Sequence, residues 1–223
     1  MDGRLTGIRR NEVLLYLGYK GGELPPEIEA DIDRCEALLL RTARPRVVWR
    51  RFPLSADGVP IGTELRPEGG DVRALLAGCE AVIFLAATLG AEAEALQRRA
   101  QAMNMADAVI LDACGSAAIE NVCDNLCEDL ARAEAPMYLT DRFSPGYGDL
   151  PLGQQADFCR LLDVGRRIGV SLSPGGLMIP QKSVTALLGV SPVPVQRRGG
   201  GCAACAMFST CSYRKDGMTC EKS

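Results

Sequence analysis

The stretch from Asn104 to about Ala133 constrains this fold more than any other part of the sequence. Asparagine is a favoured helix N-cap, and after it Ile110, Cys114, Ala117, Ala118, Val122 and Leu126 recur with a helical period. A helix this long with one apolar face needs other elements to cover that face. Candidates stand on both sides of it. Asn11 is placed to cap a short helix carrying Val13, Leu14, Leu15 and Leu17, stopped by the Gly21-Gly22 pair. Pro25-Pro26 opens a second helix, with Ile28, Ile32, Cys35, Leu38 and Leu39 on one face. Arg46 to Phe52 reads as a strand, and Val59 to Thr63 is spaced to pair with it through the Asp57-Gly58 turn.

Further along, Asp71 to Ala77 reads as a short helix and Glu80 to Ala86 as a buried strand. Thr88 is positioned to cap a helix that reaches about Ala102. Beyond the long helix come a short strand at Met137 to Thr140 and a helix from Gln154 to Val164. Strand candidates follow at Leu177-Met178-Ile179 and at Ser183 to Val190. Helices and strands in separate clusters, without a regular βαβ rhythm, predict an α+β fold with a mixed or antiparallel central sheet and flanking helices. There is no internal repeat, and no G-x-G-x-x-G follows a strand, so a Rossmann dinucleotide site is not indicated.

From Ser191 the chemistry changes to Ser-Pro-Val-Pro-Val-Gln-Arg-Arg-Gly-Gly-Gly, which is linker composition. The expected division is a folded unit over 1–192, then a linker and cysteine-rich tail over 193–223. Net charge is -3 and no basic stripe is concentrated anywhere, which argues against nucleic acid and anionic membrane as partners. The N-terminus lacks a signal-peptide layout, and the longest apolar run, Ala81 to Ala87, is too short for a bilayer. A cytoplasmic protein is expected. Histidine is absent, which removes the commonest general base and the commonest nitrogen ligand for metals. Ten cysteines in a reducing compartment are not expected to form a disulfide framework.

Four of those cysteines, Cys202, Cys205, Cys211 and Cys220, form C-x2-C-x5-C-x8-C. Four thiolates within one loop's reach suit tetrahedral zinc or an iron–sulfur cluster, and a glycine-hinged tail with little apolar mass needs such a crosslink to order. The spacing is similar to cluster-binding C-terminal segments of some radical enzymes, which favours [4Fe-4S] over zinc. Cys123 and Cys127 are four apart on the long helix and read as core, with a second metal site as the alternative. Cys35, Cys79, Cys114 and Cys159 also sit in apolar patterns and read as core.

The densest local signal is Arg142-Phe-Ser-Pro-Gly-Tyr-Gly-Asp-Leu-Pro151. Pro145-Gly146 specifies a tight turn that leaves Arg142 and Tyr147 on either side of it. An arginine fork suits a carboxylate, and a tyrosine offers a flat apolar face with a polar tip. Spacing alone is equally met by a surface turn.

Arg142-x-x-Pro145-Gly146-Tyr147, followed by a polar helix and by Met178-Ile-Pro-x-x-Ser183-Val184, resembles the reactivation (S-adenosylmethionine-binding) domain of cobalamin-dependent methionine synthase. It is closer still to free-standing, shortened relatives of that domain, over roughly residues 75–192. The resemblance implies that Arg142 grips the carboxylate of S-adenosylmethionine and that Glu120, in Ala117-Ala-Ile-Glu-Asn-Val122, serves its positive end. It implies backbone contacts from Ser144 in the Ser144-Pro145-Gly146 turn, and a corrin-bordering role for Tyr147. Where the family carries an aromatic pair after its Pro-x-x-Ser-Val segment, this chain has Leu187-Leu188.

The implied function is reductive methylation of cobalamin held by a partner methionine synthase or corrinoid methyltransferase subunit, with no catalytic side chain required. In that scheme cobalt in the +2 state takes one electron and the methyl group of S-adenosylmethionine, and any histidine on the cobalt comes from the partner. Two other functions fit the sequence. One is an iron–sulfur or zinc adaptor that docks to a corrinoid methyltransferase without binding S-adenosylmethionine. The other is a methyltransferase acting directly on a small substrate, disfavoured because no base stands out.

Overall fold

The eight residues from Ala81 to Thr88 are buried without exception, which requires that both faces of their sheet be covered. The computed structural model describes residues 1–195 apart from Lys20 and Gly22. In chain order the elements are α1 (Arg10–Tyr16), α2 (Pro26–Thr42), β1 (Arg46–Pro53), α3 (Gly70–Leu76), β2 (Ala81–Thr88), α4 (Ala91–Met103) and α5 (Met105–Glu134). They continue with β3 (Tyr138–Leu139), α6 (Gln155–Leu162), α7 (Val164–Ile168), β4 (Ser171–Leu172), β5 (Met178–Ile179) and β6 (Ser183–Ser191). Four strands form an antiparallel sheet in the order β1-β2-β6-β3, and β4 pairs with β5 in a separate ribbon. The fold is α+β, as expected, and the sheet is antiparallel rather than mixed.

Strand alternation assigns the two faces. Ala81, Ile83, Leu85 and Ala87 join Ala186, Leu188 and Val190 under α2, α4 and α5. Val82, Phe84 and Ala86 join Leu187, Val48 and Phe52 under α3, α6 and α7. The long helix is capped as its sequence dictates: the Asn104 side chain accepts from the N–H groups of Ala106 and Asp107. Its small residues let it lie close to neighbours, and the stem of Lys182 crosses directly over Gly115.

Several local expectations shift. Arg9, not Asn11, precedes the first helical residue of α1, and the helix ends before Gly18 at φ +72 rather than at the glycine pair. Pro26 opens α2 at its first turn, with Ile32, Cys35 and Leu39 buried and Ile28 left outside. Val59 to Thr63 forms no strand; only Leu54 and Pro60 bridge there, and the strand partner of β1 along its full length is β2. Thr88 stays in β2 with its hydroxyl 2.8 Å from that of Ser183, so α4 starts after Gly90 instead. The helix expected from Gln154 to Val164 breaks at Asp163, whose φ of +51 separates α6 from α7. Among the described residues, no helix is long and apolar enough to cross a membrane.

Candidate functional site

β6 positions the site through its outer edge. Phe143 and Leu187 exchange both backbone hydrogen bonds, at 2.9 and 2.8 Å. Thr140 N–H donates to the Gly189 carbonyl at 3.0 Å, and Gly189 N–H donates to Thr140 Oγ1 at 2.8 Å. Three steps along the chain from Thr140 to Phe143 thus face two steps from Gly189 to Leu187. The extra residue is a bulge. Leu139 packs on the α5 side with Val190, whereas Phe143 packs on the opposite side with Leu187. Regular alternation would have put position 142 on the Leu187 side; the bulge returns Arg142 to the face of α5.

There the Arg142 Nη2 donates to Glu120 Oε2 at 2.8 Å and to Asp124 Oδ1 at 2.7 Å. The two carboxylates stand one turn apart on α5 and so share a face. Asp124 Oδ2 also accepts from Arg9, whose Nε lies 3.1 Å from the buried Glu12. Only 18% of the Arg142 side chain is exposed. Burial pulls its pKa down, but Cys123, Glu120 and Cys127 outweigh that and hold it above its ordinary value. Burial also pushes the Cys123 thiol up to about 12, against the pull of Arg142. With that thiol neutral, the carboxylates of Glu120 and Asp124 are the direct ionic partners of Arg142. On α1, burial followed by Glu120 and Glu12 raises the Tyr16 phenol to about 12, which keeps its proton in place.

The turn folds as its residues require. Tyr147 N–H donates to the Ser144 carbonyl at 3.0 Å across Pro145 and Gly146, with Gly146 at φ +92. Gly146 N–H then donates to the Leu150 carbonyl at 2.9 Å. Asp149 anchors the loop from behind: its carboxylate accepts from Gly70 N–H at 2.5 Å and from Asp71 N–H at 3.1 Å, at the start of α3. Gly69, at φ +107, leaves no room for a Cβ beside that carboxylate. Asp149→Ala is expected to lower stability by about 1 kcal/mol through loss of this cap, read from denaturant unfolding.

Together these elements enclose a cleft of about 1060 Å³, at the upper end of the few hundred to about 1,000 Å³ usual for small-molecule pockets. Glu120, Arg142, Ser144, Pro145 and Tyr147 all line it. Gly146 does not; it sets the turn. Tyr147 is 66% exposed at the mouth and Pro145 is buried beneath it. The structure adds Asp124 and Arg9 to the lining, which the sequence motif did not single out. Asp124 carried a local signal, four residues after Glu120 on one helix; Arg9 did not, being 115 positions away. Leu187 and Leu188 are buried on opposite faces of the sheet and do not replace an aromatic pair in the cleft. Cys123 is fully buried and Cys127 packs against the same core. Among the described residues, no group of three or more potential ligands is arranged to hold a metal ion. Cys202, Cys205, Cys211 and Cys220 lie outside the described residues.

No protein-family model matches this chain, and no curated protein matches it. Among solved structures it is similar to the MetH reactivation domain bound to AdoHcy, with a TM-score of 0.61 and 17% sequence identity. The alignment covers 95% of this chain and 82% of that one. The chain therefore has the reactivation-domain fold, as the resemblance in its loop and in the Met178 to Val184 segment implied.

Proposed function

We propose that this chain binds S-adenosylmethionine between α5 and the Arg142–Tyr147 loop and supports reductive methylation of cobalamin on a partner methionine synthase or corrinoid protein. One observation carries the proposal: Glu120 and Arg142 form a 2.8 Å ion pair on the wall of a ligand-sized cleft. The fold is that of a domain solved with AdoHcy bound. The amino-acid end of such a ligand offers the same two charges and can take the place of the pair, carboxylate to Arg142 and ammonium to Glu120.

Charge count supports the sulfonium form in particular. The charged residues that line the cleft are Glu120, Asp124, Glu128 and Asp141 against Arg9 and Arg142, an excess of two negative charges. S-adenosylmethionine carries two positive groups and one negative, so it complements that excess, whereas S-adenosylhomocysteine is neutral. The Ser144 backbone and the turn after it would face the adenosine. Tyr147, projecting at the mouth, would border a corrin brought from outside. When bound, the partner's corrinoid supplies the cobalt that accepts the methyl group. The contribution of this chain is to orient the sulfonium and exclude water from it.

Calorimetry with the full chain tests the proposal. One-site binding of S-adenosylmethionine, tighter than that of S-adenosylhomocysteine, is expected. No heat from either ligand at millimolar concentration would overturn it.

The cysteine tail is assigned a [4Fe-4S] cluster or a zinc ion on the chemistry of its four thiolates. Val195 lines the cleft and Cys202 follows seven residues later, so an extended chain spans at most about 25 Å between them. A cluster there would supply the electron that reductive methylation needs. Anaerobically purified protein is expected to contain either iron with sulfide or one zinc per chain; metal-free protein would remove this part of the proposal.

A further inference from the structure

Arg142 donates through a single nitrogen to carboxylates on successive turns of α5, Glu120 at 2.8 Å and Asp124 at 2.7 Å. The two acceptors differ in how they are held. Asp124 gives its second oxygen to Arg9, which precedes α1 and is itself paired with buried Glu12. Asp124 is therefore clamped between two cations contributed by different parts of the chain. From these contacts we infer that Asp124, braced by Arg9, is the positioning residue that keeps Arg142 aimed into the cleft when a ligand's ammonium group draws Glu120 away. This rests on the amino-acid end of the ligand exchanging with the Glu120–Arg142 pair, as proposed above.

The physical reason lies in the arginine side chain. A guanidinium released from all its partners regains many rotamers and must lose them again to grip a carboxylate. A second carboxylate that takes no part in ligand contact removes that loss. Asp124 fits this role because Arg9 and Arg142 bond different oxygens of its carboxylate, so that neither displaces the other. A ligand without a carboxylate does not call on Arg142 in this way, and its affinity is indifferent to Asp124.

The test compares S-adenosylhomocysteine with 5′-methylthioadenosine, which keeps the adenosine and thioether but lacks the amino-acid end. In Asp124→Asn, affinity for S-adenosylhomocysteine is expected to fall about tenfold, while that for methylthioadenosine changes less than about twofold. Asp124→Glu is expected to restore most of the loss. Arg9→Ala is expected to reduce the preference for S-adenosylhomocysteine in the same sense and serves if Asp124→Asn folds poorly. Equal weakening of both ligands, or unchanged binding of S-adenosylhomocysteine, would overturn the inference alone. An unsubstituted protein that binds neither ligand would overturn the ligand assignment itself, a result seen before any substitution is made.

Discussion

Arg142→Ala is expected to weaken binding of S-adenosylmethionine about 100-fold or more, with a smaller loss of stability of about 2 kcal/mol. The side chain is 18% exposed and makes two charge-assisted hydrogen bonds. Its removal deletes the cation for the ligand carboxylate. It also leaves Glu120 and Asp124 facing one another across a gap, so that one of them gains affinity for a proton. Arg142→Lys keeps the charge but replaces a planar fork by a point charge, and an intermediate loss of about tenfold is expected. Calorimetry measures the first effect and denaturant unfolding the second. Undiminished affinity in the alanine variant would place the ligand's carboxylate elsewhere.

Phe84→Ala should do the opposite, breaking the fold while sparing the site. Phe84 is wholly buried at the centre of β2. Its ring meets Phe158 edge-on at 5.0 Å and Phe52 at 5.9 Å. Deleting it opens a cavity between the sheet and α6, at a cost of about 3–5 kcal/mol. The melting temperature should fall by about 10 °C. The cleft lies along the outer edge of β6, and the folded fraction should therefore bind with unchanged affinity. A loss below about 1 kcal/mol would mean that the face under α6 and α7 is not a packed core.

The two substitutions also mark what could be read from the sequence. Asn104 and the apolar period behind it announced α5, and the run from Ala81 announced β2, because both signals are local and strong. Five of the six residues expected at the site do line the cleft, since a turn motif and a helix motif each fix their own neighbourhood. Partner choice was less legible. Val59 to Thr63 looked like the natural companion of β1, yet only Leu54 and Pro60 bridge there, and β1 pairs with β2, whose run from Ala81 to Ala87 is apolar. Thr88 looked like a cap and is instead held in register opposite Ser183. Asp163 breaks a helix without a glycine to signal it. Arg9 reaches Asp124 only after α1 has docked on α5, a contact that no local pattern encodes.

The bulge between Thr140 and Phe143 carries one more lesson. The orientation of the site's cation depends on counting back from Phe143, which is pinned opposite Leu187 and so turns the residue before it toward the layer of α5. Shortening the chain at Asp141 would remove the extra residue, keep Phe143 opposite Leu187 and still leave the arginine opposite Leu188, on the layer of α5. Chains aligned to this one with a gap at that spot therefore present the same charge to the same layer, as long as the pairing of Phe143 with Leu187 is kept.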